Sequence, residues 1–293
     1  MDNWDEIRTA YHVARAGTVS GAAEALGVHH ATVIRHVDAL EARLGVKLFQ
    51  RHARGYTPTE AGQDLLRVAQ TTDDQFAQLA SRIRGRGNDV SGELVVTSLA
   101  MFAPLLAPVL ADFQRAHPRV ILRYLTGTRL FRLEYGEAHV AVRAGPPPQE
   151  PDNVVQPFFY QSAGLYAARS YVEAQGLPDS LDALDGHSFV GPDSDEPRAP
   201  TERWLRRTVP AGQIVFRSPD PRAQEDAVLA GAGIGFLASW TAAAHPDLIE
   251  VAPPREEWGA PIWLVTHVDL HRSSKVQALL KTLKHAAQDW DAA

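Results

Sequence analysis

Three glycines punctuate the first forty-five residues and set what they can become. Gly17, Gly27 and Gly45 each follow a segment whose apolar residues recur at three- and four-residue spacing. Glycine just past such a segment is the usual end of a helix, because it takes the left-handed cap conformation without steric cost. Trp4, Ile7, Ala10, Tyr11 and Ala14 form the first stripe. Thr18 stands where an N-cap is needed, and Ala22, Ala23 and Leu26 line a short second helix over 19–26. Gly27-Val28 then turns the chain into a third helix from about His30 to Leu44, with Val33, Val37, Leu40 and Leu44 facing inward. Two short helices joined by a tight glycine turn, the second with basic groups outward, describe a helix-turn-helix. Val46-Lys47-Leu48-Phe49 alternates as a short strand, and Arg51-His52-Ala53-Arg54-Gly55-Tyr56 reads as the loop tip of a wing.

The charge distribution agrees. The 293 residues carry a net charge of −6, which by itself disfavours a polyanion partner. Residues 1–90 are balanced, with 11 basic and 11 acidic side chains, so the excess lies beyond them. Between His29 and Glu60 five basic side chains face three acidic ones, joined by His29, His30, His36 and His52. The chain has no cysteine, which excludes disulfides, Cys-based zinc sites and thiol catalysis. Its acidic start has no basic and apolar leader pattern. The longest uncharged run, Leu94 to Ala111, is broken by Pro104 and Pro108 and falls short of the ~20 apolar residues that span a bilayer. A cytoplasmic protein with no membrane contact is expected.

The stretch from Ala16 to Gly62 resembles the winged helix-turn-helix of the LysR-type transcriptional regulators. The shared elements are the small-residue second helix, the Leu40-Glu41…Leu44-Gly45…Leu48-Phe49…Arg51 run, and Thr57-Pro58-Thr59-Glu60-Ala61-Gly62. The departures lie where DNA would be read. His29, His30 and Ala31 replace the Ser and Gln or Pro usual in the family, and Ile34 replaces a common Ser, suggesting burial there. Arg35 matches the family's basic position. Thr32, Arg35 and His36 are the outward candidates for base edges, Arg being best suited to guanine O6 and N7. Arg51 and Arg54 on the wing would hold phosphates and carry little sequence information.

Thr57-Pro58-Thr59-Glu60 reads as N-cap, Pro at N1 and Glu at N3 of a long helix. Leu65, Ala69, Thr72, Phe76, Leu79 and Ile83 follow at heptad spacing, up to the break Gly85-Arg86-Gly87-Asn88-Asp89. The stripe must be covered either by its own domain or by a second subunit. Pairing with a second copy is favoured, because the helix leads away from the DNA-binding unit and a dimer places two recognition helices on two half-sites. The resemblance implies the same, and tetramers as well.

Beyond Ser91-Gly92 strand and helix alternate, which predicts an α/β fold with a parallel sheet. Strands are expected at 94–97, 120–125, 140–143, 164–167, 189–190, 214–216, 234–237 and 262–266, with helices at 104–115, 222–230 and 274–287. This part is similar to the family's effector-binding domain, two α/β lobes like those of periplasmic binding proteins. His139 departs from the family's usual Asp, and the Pro146-Pro147-Pro148 loop is unusual. The resemblance implies a winged helix-turn-helix over 1–58, a linker helix and hinge over 59–90, and an effector domain over 91–293. Within the last, lobe one is about 91–160 plus 267–293 and lobe two about 161–266.

Ligands in open α/β folds sit at strand C-terminal ends. Thr97, Ser98, Thr126, Gly127, Thr128 and Arg143 occupy such ends in lobe one. Gly191, Ser218 and Asp220 occupy them in lobe two, with His267 at the return crossing. Hydroxyls with Arg143 suit a small carboxylate, and Asp220 an amine, so a small organic acid or an amino acid is expected. Catalysis is not: Gly186-His187-Ser188-Phe189-Val190 lacks the closing Gly of a nucleophile elbow, and Gly231-Ala232-Gly233-Ile234-Gly235 enters a strand instead of leaving one. Neither metal nor cofactor is expected, since adjacent His29 and His30 diverge by about 100° on a helix with no carboxylate at ligand spacing. Promoter DNA, a small-molecule effector and a second copy of the chain are the partners implied. The alternative is a ligand-sequestering protein whose DNA-binding domain is vestigial.

Overall fold

The computed structural model describes residues 4–52, 55–83, 90–194 and 196–290. Three helices, α1 (Trp4–Ala16), α2 (Val19–Leu26) and α3 (His30–Leu44), enclose one small core of Ala10, Val13, Ala22, Val33, Val37 and Leu40. Thr18 caps α2 by accepting from the Gly21 amide at 3.1 Å, and Gly27 and Gly45 close α2 and α3 with φ near +66° and +68°. Leu44 differs from expectation: it is partly exposed on the last turn of α3, outside the reach of that core.

The wing is a hairpin of β1 (Phe49–His52) and β2 (Gly55–Pro58), paired from Phe49 with Pro58 to His52 with Gly55. The strand therefore starts three residues later than the alternation at Val46 predicts. The reason is Glu41: its buried carboxylate accepts from the Leu48 and Phe49 amides at 2.9 and 3.2 Å, so that segment is held by a side chain instead of a ladder. The helix cap also moves. Thr57 and Pro58 are drawn into the wing, and Thr59 caps α4 (Glu60–Ile83), accepting from the Gly62 amide at 3.2 Å. Gly62 is required by close approach, since a Cβ there would lie 2.0 Å from the Leu48 carbonyl oxygen.

The first half of the apolar stripe on α4 is covered by the chain itself. Leu65 packs on the DNA-binding core and Ala69 is 2% exposed. The Trp4 ring meets Phe76 edge-on, with centroids 5.3 Å apart. Thr72 returns its hydroxyl to the Val68 carbonyl at 2.9 Å. The side chains of Leu79 and Ile83 lie outside the described ones. Heptad spacing states that a stripe is buried, not against what, and here α1 supplies the cover for Leu65 and Ala69. Val68 (63% exposed) and Phe76 (50%) are the large apolar side chains that α4 shows to solvent among those described.

The remainder runs through β3 (Gly92–Ser98), α5 (Ala103–Ala116), β4 (Val120–Thr126), β5 (Val140–Ala144), β6 (Asn153–Gln161), β7 (Ala163–Ala168), α6 (Arg169–Gln175) and β8 (Phe189–Pro192). It continues through α7 (Pro200–Thr208), β9 (Ile214–Ser218), α8 (Pro221–Leu229), β10 (Gly235–Ala238), α9 (Ser239–Ala244) and β11 (Leu248–Ala252). The chain closes through β12 (Ala260–His267), α10 (Val268–His271) and α11 (Ser274–Ala287). The first lobe is a five-stranded sheet in the order β4-β3-β5-β12-β6, over a core that includes Phe102, Phe113, Leu264 and Leu283. The second joins an antiparallel β10-β7-β11 sheet to a parallel β8-β9 pair through the Phe189–Ile234 bridge, around Trp204, Phe189 and Leu165.

Two expectations change. Only β3, β4 and β5 form a parallel set in the first sheet; β12 runs antiparallel to both β5 and β6. Residues 260–267 thus belong to lobe one, and the return crossing precedes Ala260 instead of falling at 267. An apolar run such as Ile262-Trp263-Leu264-Val265 announces a buried strand without stating which sheet receives it.

Candidate functional site

The outer face of α3 follows from its inner one. With Val33, Val37, Leu40 and Glu41 buried, His30, Ala31, Ile34, Arg35 and Asp38 are left in a solvent-facing stripe. His29 is the extended residue before the helix and makes no capping bond with its side chain, so both histidines are exposed at the helix start. Thr32 is half-buried at the edge. His36 is tethered: its Nδ1 lies 2.9 Å from the Thr9 hydroxyl, which itself donates to the Asp5 carbonyl at 2.6 Å. Thr9 has one proton and spends it on Asp5, so His36 Nδ1 is the donor in this pair. Ile34 is 39% exposed, contrary to the expectation of burial, because the core is filled from Val33 and Val37.

Arg51, expected at a phosphate, is also tied to the protein itself. Its Nη2 lies 2.5 Å from Asp38 Oδ1 and 3.0 Å from Glu41 Oε2, and its guanidinium sits 5.3 Å from the Tyr56 ring centroid. Hydrogen bonding to Asp38 raises its already high pKa. Arg51 therefore clamps the wing to α3. Glu41 is the centre of that clamp, taking Lys47 Nζ at 2.7 Å as well. Desolvation works to raise the Glu41 pKa, but the bonds from Lys47, the two amides and Arg51 outweigh it and hold the carboxyl low. Arg54 lies outside the described residues.

The second site is the cleft between the lobes. Thr97, Ser98, Gly127, Thr128 and Arg143 converge on one recess of about 290 Å³, at the C-terminal ends of β3, β4 and β5. A neighbouring recess of about 310 Å³ sets Gly127 and Thr128 opposite Asp220 and Arg222. A third, of about 270 Å³, lies between Leu99, Met101 and Ala144 of lobe one and Glu202, Gln224 and Trp240 of the second lobe and its hinge. Leu99 lines all three; the first lies wholly on lobe one, and the other two reach across to lobe two.

Arg143 donates to the Phe131 carbonyl at 3.0 Å and stands 3.6 Å from Glu150. The Ser98 hydroxyl donates to the Leu99 carbonyl at 2.8 Å and so accepts from Tyr124 OH at 2.7 Å; burial pushes the Tyr124 phenol up. Asp220 caps α8 through the Arg222 amide at 2.9 Å. Burial also raises Glu225, opposed by Arg222. Among the described residues no group of His, Asp or Glu is arranged to hold a metal ion.

Both architectures have known counterparts. Residues 4–63 match the bacterial regulatory helix-turn-helix protein of the lysR family, and residues 87–288 match the LysR substrate binding domain. The chain belongs to the LysR family. This LysR-type regulator is 30% identical over 239 residues to the transcriptional activator IlvY of Salmonella typhimurium, spanning 79% of this chain and 81% of that one. Full-length OxyR from Pseudomonas aeruginosa shares its fold with a TM-score of 0.71 at 17% identity, covering 98% of this chain and 95% of the other. CbnR in complex with its target DNA superposes with a TM-score of 0.58 at 21% identity, covering 97% and 99%. The family comprises DNA-binding transcription regulators with an effector-binding domain, not enzymes.

Four expected effector residues of this LysR-type regulator do not line these three recesses. Thr126 is exposed at the end of β4 and lines none of the recesses. Gly191 faces the Ile214 and Leu205 side chains, and the Ser218 hydroxyl accepts from the Asp220 amide at 3.1 Å. His267 sits beside Asn153 at the opposite end of the sheet, because β12 runs antiparallel and carries its C-terminus away from Ala144. Conversely Leu99, Met101, Glu202, Gln224, Trp240 and Trp258 line the cleft unannounced. Proline at the start of α7 and α8 marks their N-termini, and both prolines line the third recess.

Proposed function

We propose that this LysR-type regulator binds promoter DNA through the outward stripe of α3, with His29, His30, Ala31, Thr32, Arg35 and His36 at the groove and the Arg51-clamped wing beside it. The observation that carries this is the exposure of Arg35 on a helix whose opposite face forms the domain core. A small organic acid or amino acid in the interlobe cleft modulates that binding, its carboxylate set by Thr97, Thr128 and Arg143 and an amine by Asp220. A ligand that prefers the closed lobes shifts their equilibrium and with it the spacing of the DNA-binding heads. The division of labour is 1–58 for DNA, 59–90 for linkage and 91–293 for effector. Dimers form along α4 and associate further into tetramers.

The test is binding to a duplex from upstream of the protein's own gene against a scrambled duplex, at two salt concentrations. Sequence-selective saturation that falls steeply with salt is expected. Equal, weak binding to every duplex, including those tiled across neighbouring promoters, would overturn the reading.

A further inference from the structure

The stripe that α3 offers to DNA contains an isoleucine that the fold does not need. The core of the domain closes over Val33, Val37 and Leu40, all 0% exposed, and leaves Ile34 outside at 39%. Its neighbours on the outward face are His30 and Asp38 one turn away, Ala31 at i−3 and Arg35 beside it. Val28, in the turn before the helix, is 40% exposed as well. The isoleucine side chain has neither donor nor acceptor, which removes hydrogen-bonded readout and phosphate contact for this position. In the major groove the one apolar group on any base edge is the thymine 5-methyl.

We infer that Ile34 is a specificity-determining residue that selects thymine by packing on its 5-methyl group, next to the base read by Arg35. The inference rests on the DNA-binding reading of α3. Covering a methyl-sized group from water on both sides of the contact corresponds to about fourfold in affinity per thymine. Burial of Ile34 in the complex also explains why an apolar residue is tolerated at an exposed position of a helix that must remain soluble between binding events.

The full chain is used to select sequences from a pool of random duplexes, and the consensus duplex is then made with thymine or with deoxyuridine at each conserved T. Deoxyuridine keeps every hydrogen-bonding group and lacks only the methyl. At one position per half-site the uracil duplex is expected to bind about fourfold more weakly. In Ile34→Ser, which leaves the core untouched and should melt at the same temperature, that difference is expected to vanish while Arg35-dependent selectivity persists. Equal affinity of wild type for thymine and uracil duplexes at every position overturns the assignment and leaves DNA binding standing. A selection that yields no consensus overturns the DNA-binding reading, and this inference with it. A uracil penalty that persists unchanged in Ile34→Ser also overturns it, because another residue then reads the methyl.

Discussion

Replacing Glu41 by Ala tests whether the wing is held by one buried carboxylate. The Glu41 side chain is 2% exposed and accepts four bonds: from the Leu48 and Phe49 amides at 2.9 and 3.2 Å, from Lys47 at 2.7 Å, and from Arg51 at 3.0 Å. Leu48 and Phe49 are buried, so their amides lose a partner without gaining water. Each orphaned buried donor costs about 1–3 kcal/mol. Lys47 is largely exposed and Arg51 keeps Asp38, so their losses are small. The expected destabilisation is about 3–5 kcal/mol, in the range for breaking a buried pair by removing one partner. At about 1.4 kcal/mol per factor of ten, amide exchange across 45–58 should quicken by roughly 10²- to 10⁴-fold. Glu41→Gln retains one acceptor oxygen without the charge and should fall between wild type and Ala. Hydrogen exchange read by mass spectrometry on the full chain gives both numbers. Exchange in 45–58 within threefold of wild type for Glu41→Ala would refute the reasoning and return the wing's stability to its two-stranded ladder.

The same carboxylate sets a pH dependence. Its folded pKa lies below the unfolded value, so its contribution is complete above about pH 4.3 and is lost as pH falls through the lowered value; exchange of 45–58 should rise in acid before that of α1. Gly62→Ala places a Cβ 2.0 Å from the Leu48 carbonyl and should cost about 1–3 kcal/mol by calorimetry, whereas a neutral result would mean that α4 can shift freely. Leu65→Asp should unfold the DNA-binding domain instead of merely dissociating subunits, since Leu65 packs on its core. Val68→Asp, at a 63% exposed position, should leave the melting temperature unchanged and weaken self-association by sedimentation; a dimer as tight as wild type would exclude that face. Arg143→Gln should lower affinity for carboxylate ligands at least tenfold by calorimetric titration, and equal affinity would place the anion elsewhere in the cleft.

Local patterns in the chain determined the helices of the DNA-binding head, because helix period, a Thr cap and glycine stops act within one or two turns. Thr18, Gly27 and Gly45 stand in the structure where those rules place them. The closing helix α11 spans 274–287, as its apolar spacing predicts. The strand ends bearing Thr97, Ser98, Thr128 and Arg143 were also legible, because parallel β-α-β order brings C-terminal ends to one edge. Tertiary structure decided what lies between distant segments. Whether Leu65 meets a second copy or its own α1, which carboxylates Arg51 grips, and whether β12 joins one lobe or the other are questions of partner. A residue's type and spacing state that it will be buried or paired. Only the assembled fold states with what, because several partners of equal chemistry compete and the one that fills space while satisfying its polar groups wins.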